Sequence, residues 1–152
     1  MKRLLFIAHF PSENTHSLAK SALNALSPYK HELQVIFKSP DQVSAEDLAQ
    51  VDGILLGMIE NLASMSGLMK DMFDRCYYAW LDQHQGLPCA VYIRAGHSGI
   101  GTARQFEQIR SGLSWRLIAE PLMLVGAYRQ DFPEQTAEQA QALAEGLRLG
   151  IF

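Results

Sequence analysis

Apolar residues fall in short blocks separated by polar punctuation, and the blocks alternate between strand-like and helical spacing. Residues 2–10 (KRLLFIAHF) form an apolar run read as a first strand. It stops at Pro11-Ser12-Glu13-Asn14-Thr15-His16-Ser17 and gives way to helix-forming sequence over 18–26. Residues 32–38 (ELQVIFK) read as a second strand bounded by Ser39-Pro40, and Ser44 with Asp47 three residues later opens a short capped helix. Residues 51–58 (VDGILLGM) give a third strand. Over 66–81, Met69, Met72, Phe73, Cys76, Tyr77 and Trp80 recur at helical spacing. A fourth strand over 87–95 (LPCAVYIRA) is followed by a helix over 102–115. A fifth strand is expected over 117–125, where Pro121 weakens it or marks an edge. Residues 133–149 form a last helix rich in Ala and Gln.

The strands are continuous apolar runs rather than alternating ones. That predicts a parallel sheet covered on both faces, an α/β fold built from five strand–helix units. No linker, repeat or low-complexity tract divides the chain, so a single doubly wound domain over 1–152 is expected. Ligands of such sheets sit beyond the carboxyl ends of the strands, at the switch point. Three stretches of unusual composition leave those ends: 11–17, 58–66 and 96–101.

Composition removes several classes of function. Apolar residues make up 48% and charged residues 19% of the 152, as expected of a globular protein rather than a disordered one. The longest apolar stretches are strand-length, too short to span a bilayer, and the N-terminal run does not read as a secretory signal. The net charge of −3 and the lack of a dense Lys/Arg run argue against nucleic-acid binding. Cys76 and Cys89 lack metal-ligand spacing and lie in apolar contexts, so both are expected to be reduced core residues in a cytoplasmic protein.

The first stretch has two readings. Ser, Asn and Thr are preferred helix N-caps. A strand feeding a helix start through such a turn is also a phosphate-binding arrangement, because the first helical amides lack partners and the dipole is positive there. On the three stretches together the chain resembles the flavodoxin-like superfamily, and more closely its small bacterial flavodoxin-family and NAD(P)H-dependent FMN reductase-like members. Ser12-Glu13-Asn14-Thr15 is similar to the family's Thr-Gly-Asn-Thr phosphate loop, with Glu13 where Gly is usual. The second stretch, Gly57 onward through Met65-Ser66-Gly67 to Lys70-Asp71-Met72-Phe73-Asp74-Arg75, is the strongest match, and Gly96-His97-Ser98-Gly99-Ile100-Gly101 resembles the family's third loop.

The resemblance implies a flavodoxin-like sheet of order 2-1-3-4-5 and FMN as cofactor. The phosphate would lie on the amides around Pro11 to His16, with Ser12, Asn14 and Thr15 as side-chain donors. The flavin ring would lie between the second loop (Ile59, Glu60, Asn61, Leu62, Met65) and the third (Ala95, Gly96, His97, Gly99). No aromatic residue stands in 58–65, so Ile59, Leu62 or Met65 would cover the ring.

Residue by residue, bland alternatives stand beside these roles. His9 reads as a hydrogen-bonded strand-end residue. Its spacing with His16 and His97 is not a metal motif. Glu60-Asn61 is either a polar turn or part of the ring site. Arg94 either holds an anion or extends from a strand end. Lys70, Asp74 and Arg75 form a solvated face. Tyr77, Tyr78 and Trp80 exceed one buried face, which leaves part of the stripe for a homodimer contact. No serine sits in a nucleophile elbow. The resemblance implies an NAD(P)H-dependent oxidoreductase passing electrons to a quinone, a flavin or another small-molecule or protein acceptor. A flavodoxin-type carrier without turnover, or an FMN-free binding module, are the alternatives.

Overall fold

A computed structural model describes residues 1–152. The elements run β1 (Lys2–Ala8), α1 (Glu13–Leu26), β2 (Leu33–Lys38), β3 (Gly53–Asn61), β4 (Ser64–Met65), α2 (Gly67–Trp80), β5 (Pro88–Ala95), α3 (Ile100–Leu113), β6 (Arg116–Leu117), β7 (Leu122–Val125) and α4 (Phe132–Leu149). The central strands lie in the order β2-β1-β3-β5 and are all parallel. The fifth place is shared by β6 and β7, both parallel to β5, and β4 folds back antiparallel on β3. The expected α/β sheet of order 2-1-3-4-5 is therefore present.

Alternation along each strand feeds two cores. Leu5 and Ile7 of β1 join Ile54, Leu56 and Met58 of β3 under α2 and α3. Leu4, Phe6 and Ala8 face the opposite way, with Leu55 and Tyr92, under α1 and α4. Both faces are dry, which is why the strands read as unbroken apolar runs. Truncating any of these leucines to Ala would cost about 2–5 kcal/mol.

Four expected boundaries are corrected. Helix α1 begins at Glu13 rather than at residue 18, because Ser12 and Thr15 form a capping box; Ser17 thus lies inside the helix, its Oγ donating to the Glu13 carbonyl at 3.1 Å. Strand β3 continues to Asn61, and most of the stretch expected as a loop is a hairpin, with Glu60 opposite Met65 and Asn61 opposite Ser64. Helix α3 starts at Ile100, two residues early, after Gly99 in the left-handed conformation. The fifth strand is broken over 118–121, where Pro121 has no N–H to give to a ladder. The short helix after Ser44 forms as a 3₁₀ turn, Ala45–Leu48, with the expected Ser44/Asp47 box.

Candidate functional site

Three segments meet beyond the carboxyl ends of β1, β3 and β5. The first is the start of α1. Ser12 Oγ accepts from the Thr15 amide at 3.2 Å while the Ser12 amide donates to Thr15 Oγ1 at 3.0 Å. The His16 amide returns to the Ser12 carbonyl at 2.8 Å. Helical geometry leaves the Glu13 and Asn14 amides without an internal partner. Pro11, Ser12, Glu13, Asn14 and His16 are exposed, and Thr15 is buried. The His16 ring stands edge-on to Phe10, 5.7 Å between centroids.

The second segment is the β3–β4 hairpin. Leu62 and Ala63 form its two-residue turn, both left-handed at φ 52° and 62°, the geometry of a primed hairpin turn. Leu62 is fully solvent-exposed, whereas Ile59 and Met65, the other two candidates to cover a ring, are buried. Asn61 is exposed at the end of β3.

The third segment, Gly96 to Gly99, follows Ala95 at the end of β5. Gly96, His97 and Ser98 are exposed; Ala95 and Gly99 are buried. Helix α3 has no capping side chain of its own. Glu60 supplies the missing acceptor from the hairpin, taking the Gly99 amide at 3.1 Å, the Thr102 amide at 3.4 Å and the Thr102 hydroxyl at 3.2 Å. Between hairpin and loop lies a cleft of about 360 Å³ lined by Glu60, Leu62, Ala63, Gly96, His97 and Ser98. The sheet end thus offers free helix-start amides on one side and an open cleft on the other.

Known structures share this architecture. A flavodoxin from the domain Archaea superposes with a TM-score of 0.78 at 17% identity, over 97% of this chain and 99% of that one. Flavodoxin 2 from Bacillus cereus gives 0.72 at 23% identity, over 95% and 99%. The chain has the flavodoxin fold. It also superposes on the flavodiiron protein from Giardia intestinalis with a TM-score of 0.79 at 12% identity, covering 99% of this chain but 37% of that one. No family model and no curated protein matches the sequence.

Within the flavodoxin fold several side chains outside the expected set hold the site together. Ser66, the residue before α2, is buried, and its Oγ lies 2.9 Å from His9 Nδ1. That bond joins the end of β1 to the start of α2, as expected of a structural strand-end histidine. Burial lowers the His9 pKa below its ordinary value, against the opposing pull of Asp41. Gln105 on α3 clamps the hairpin from the other side: its Oε1 accepts from the Met65 amide at 2.6 Å and its Nε2 donates to Ser64 Oγ at 2.9 Å. Gly101 is required by contact, since a Cβ there would lie 2.0 Å from the Ala63 carbonyl oxygen.

Other residues are placed elsewhere. Arg94 donates to the carbonyls of Ala95 (2.6 Å) and Leu124 (3.0 Å), with its guanidinium over Phe132, so it fastens β5 to β7. Lys70–Asp74 and Asp71–Arg75 are exposed helical pairs. Arg75 does more than pair, because it also donates to the carbonyls of Val43 and Pro40 and ties down that turn. Cys76 and Cys89 are free and buried, as expected.

Proposed function

We propose that this protein binds FMN across the carboxyl ends of β1, β3 and β5 and moves electrons through it. One observation carries the proposal. A helix start with uncommitted amides and a cleft of about 360 Å³ stand side by side at the switch point of a flavodoxin fold. The flavodoxins among the structural neighbours lend it support.

The residues present fit the cofactor. A phosphate needs unpartnered donors, and the Glu13 and Asn14 amides are such donors. Of the Ser12 and Thr15 hydroxyls, bonded to each other at 2.8 Å, Thr15 can commit its proton within the cap and leave the Ser12 proton for a phosphate. Asn14 and His16 are exposed beside them, and Pro11 fixes the approach of the chain. Glu13 is exposed and free to turn its carboxylate to solvent. At the other end Leu62 would cover one face of the ring, with Ile59, Asn61 and Met65 forming the hairpin behind it. Ala95, Gly96, His97 and Gly99 would line the facing loop. Glu60 holds that loop to the hairpin rather than reaching into the cleft alone. When bound, FMN supplies acceptance of an electron pair and its release singly or together; the chain binds it, orients it and limits access of water.

More finely, the protein is an NAD(P)H-dependent oxidoreductase of the cytoplasm, delivering electrons to a quinone, a free flavin or another acceptor. The net charge of −3 supports this over a carrier, because carriers dock through strongly charged surfaces. Coverage of nearly whole flavodoxin chains by this fold supports the second reading, an electron carrier without turnover. In either case a contact with a second copy falls to Tyr78, which is 83% exposed on α2 while Trp80 is buried.

The visible spectrum of the purified protein and a titration with FMN test the binding. A colourless protein that takes up no FMN at micromolar concentration refutes it and leaves the binding module. Anaerobic addition of NADH or NADPH to the loaded protein separates the other two. Direct, rapid bleaching establishes the oxidoreductase, and its absence the carrier.

A further inference from the structure

The largest cavity of the molecule, about 900 Å³, lies between α3 and the broken fifth strand. It selects no charge. Its free Arg104 is matched by a free Glu120, Arg110 is paired with Glu107, and Arg116 turns to the Phe152 ring. The opposite edge of the sheet is different. Two cavities, of about 320 Å³ and 180 Å³, open between β2 and α1, and Leu23 lines both. They form one groove that follows α1 from His16 to Leu26, ten residues or about 15 Å.

Charge, surface and backbone define its occupant. No carboxylate lines either cavity, whereas Lys20 and Lys30 do, and His16 closes the upper end. Neither lysine makes an ion pair. The carboxylate nearest in sequence, Glu32, is turned to Arg148 of α4 at 3.8 Å. The floor is Leu23 with Val35 and Phe37, all half-buried, and the Phe37 ring is stacked on Phe10 at 5.6 Å between centroids. Strand β2 is the last on its side of the sheet and pairs only with β1. No other backbone group bonds the main chain of 33–38. Its outward N–H and C=O groups therefore form an open row along a strand of six residues. Only another extended backbone matches the repeat of that row. Two lysines and a histidine are too few to follow a nucleic acid.

We propose that β2 accepts an added strand, an extended acidic segment of a partner protein. Two apolar side chains of that segment, on alternate positions, enter the groove, and a carboxylate on either side of them meets Lys20 or Lys30. The main-chain row fixes the register, the floor takes the apolar pair, and the lysines choose the sign of the partner. Every second side chain of an added strand points to the α1 face, about 6.8 Å apart. An acidic, apolar, apolar, acidic set at that spacing spans about 20 Å, so its ends fall within reach of lysine side chains at the two ends of a groove about 15 Å long. The flavin reading is not needed for this surface.

The probe is a blocked nonapeptide in which Thr alternates with Glu, Leu, Phe and Glu, titrated by calorimetry at low salt. The expected dissociation constant is on the order of 100 μM. Lys20→Glu and Lys30→Glu should each weaken binding about fivefold, and the peptide with Gln in place of both Glu should bind wild type at least as poorly. The double variant should prefer the peptide with Lys in place of both Glu, which reverses the selection. Hydrogen exchange of amides within 33–38 should slow when the peptide is bound. Both lysines are exposed, and circular dichroism verifies folding; the Gln and Lys peptides test the charge on wild type alone. No binding of the acidic peptide at millimolar concentration overturns the proposal. Equal binding of the Gln peptide, or binding without protection of 33–38, does so too. Protein that binds vesicles of anionic phospholipid but not the peptide has a membrane patch here, and the proposal falls. FMN titration of the same samples leaves the flavin reading to stand or fall by itself.

Discussion

Replacing Glu13 with Gln tests the location of the phosphate through two effects of opposite sign. Glu13 is the first residue of α1 after the Ser12 cap, and it is exposed. In the unloaded protein its carboxylate lies by the positive end of the helix dipole, which stabilises the fold by about 0.3–1 kcal/mol. Gln keeps the length and nearly the helix propensity of Glu but not the charge. Glu13→Gln should therefore lower the unfolding free energy by about 0.5 kcal/mol in urea denaturation. A phosphate dianion on the Glu13 and Asn14 amides reverses the sign. Charges of −1 and −2 about 8 Å apart in water repel by roughly 1 kcal/mol. A Debye length of about 10 Å at 0.1 M salt cuts this by about half. The lost dipole interaction is common to free and loaded protein and cancels from the affinity. FMN should thus bind Glu13→Gln about two- to fivefold more tightly at low salt, with the gain fading near 0.5 M. Riboflavin, which has no phosphate, should bind both proteins alike. Fluorescence titration reads all of these. Unchanged FMN affinity at low salt would mean that the phosphate lies away from α1.

Glu60→Ala removes the acceptor of three donors at the start of α3, and should cost about 1–2 kcal/mol of stability, as loss of a helix cap does. Glu60→Gln, which keeps an acceptor, should cost about half of that in the same denaturation series. His9 is held by burial below its ordinary pKa of 6.5, so the folded state resists its protonation. Its contribution is complete above that pH and is lost as pH falls through the lower folded value. Wild type should therefore lose stability on acidification below about pH 6.5, and His9→Gln should show a shallower slope; equal slopes would refute the assignment. Burial pushes the thiols of Cys76 and Cys89 up, so a thiol-specific reagent should label neither until the protein unfolds. Fast labelling of native protein would contradict their packing.

The sheet was legible because its strands are buried on both faces and the helices between them carry an apolar stripe. Nothing in that signal depends on long-range detail. The boundaries that failed did so where local and distant causes compete. Ser12 and Thr15 are good cap residues and good phosphate donors, and only geometry shows that they bond each other. The hairpin at 60–65 was hidden because its turn is Leu62-Ala63, neither of which favours a left-handed backbone. Gln105 could not be singled out as a clamp, since its partners at Ser64 and Met65 lie about 40 residues away in the chain. Gly101 gave no signal either, because it read as the last residue of the loop before the helix, where a glycine is ordinary. The break at Pro121 was visible, but not that it opens a groove.

The two ends of the site are prepared in different ways. At α1 the capping box is relaxed, and a phosphate would add to amides that already face solvent. At the hairpin two non-glycine residues hold a left-handed backbone, at a cost of about 1–3 kcal/mol each. Such strain persists only where neighbours over-determine it. Here Gln105 binds the Met65 amide and Ser64, Glu60 joins the hairpin to the start of α3, and Gly101 admits the Ala63 carbonyl at close range. All three constraints come from or end on α3. The exposed Leu62 is therefore presented by a turn that α3 fixes, not by a free loop. A ring entering the cleft would meet a hairpin backbone whose ordering cost has already been met in folding, which lowers the cost of binding there.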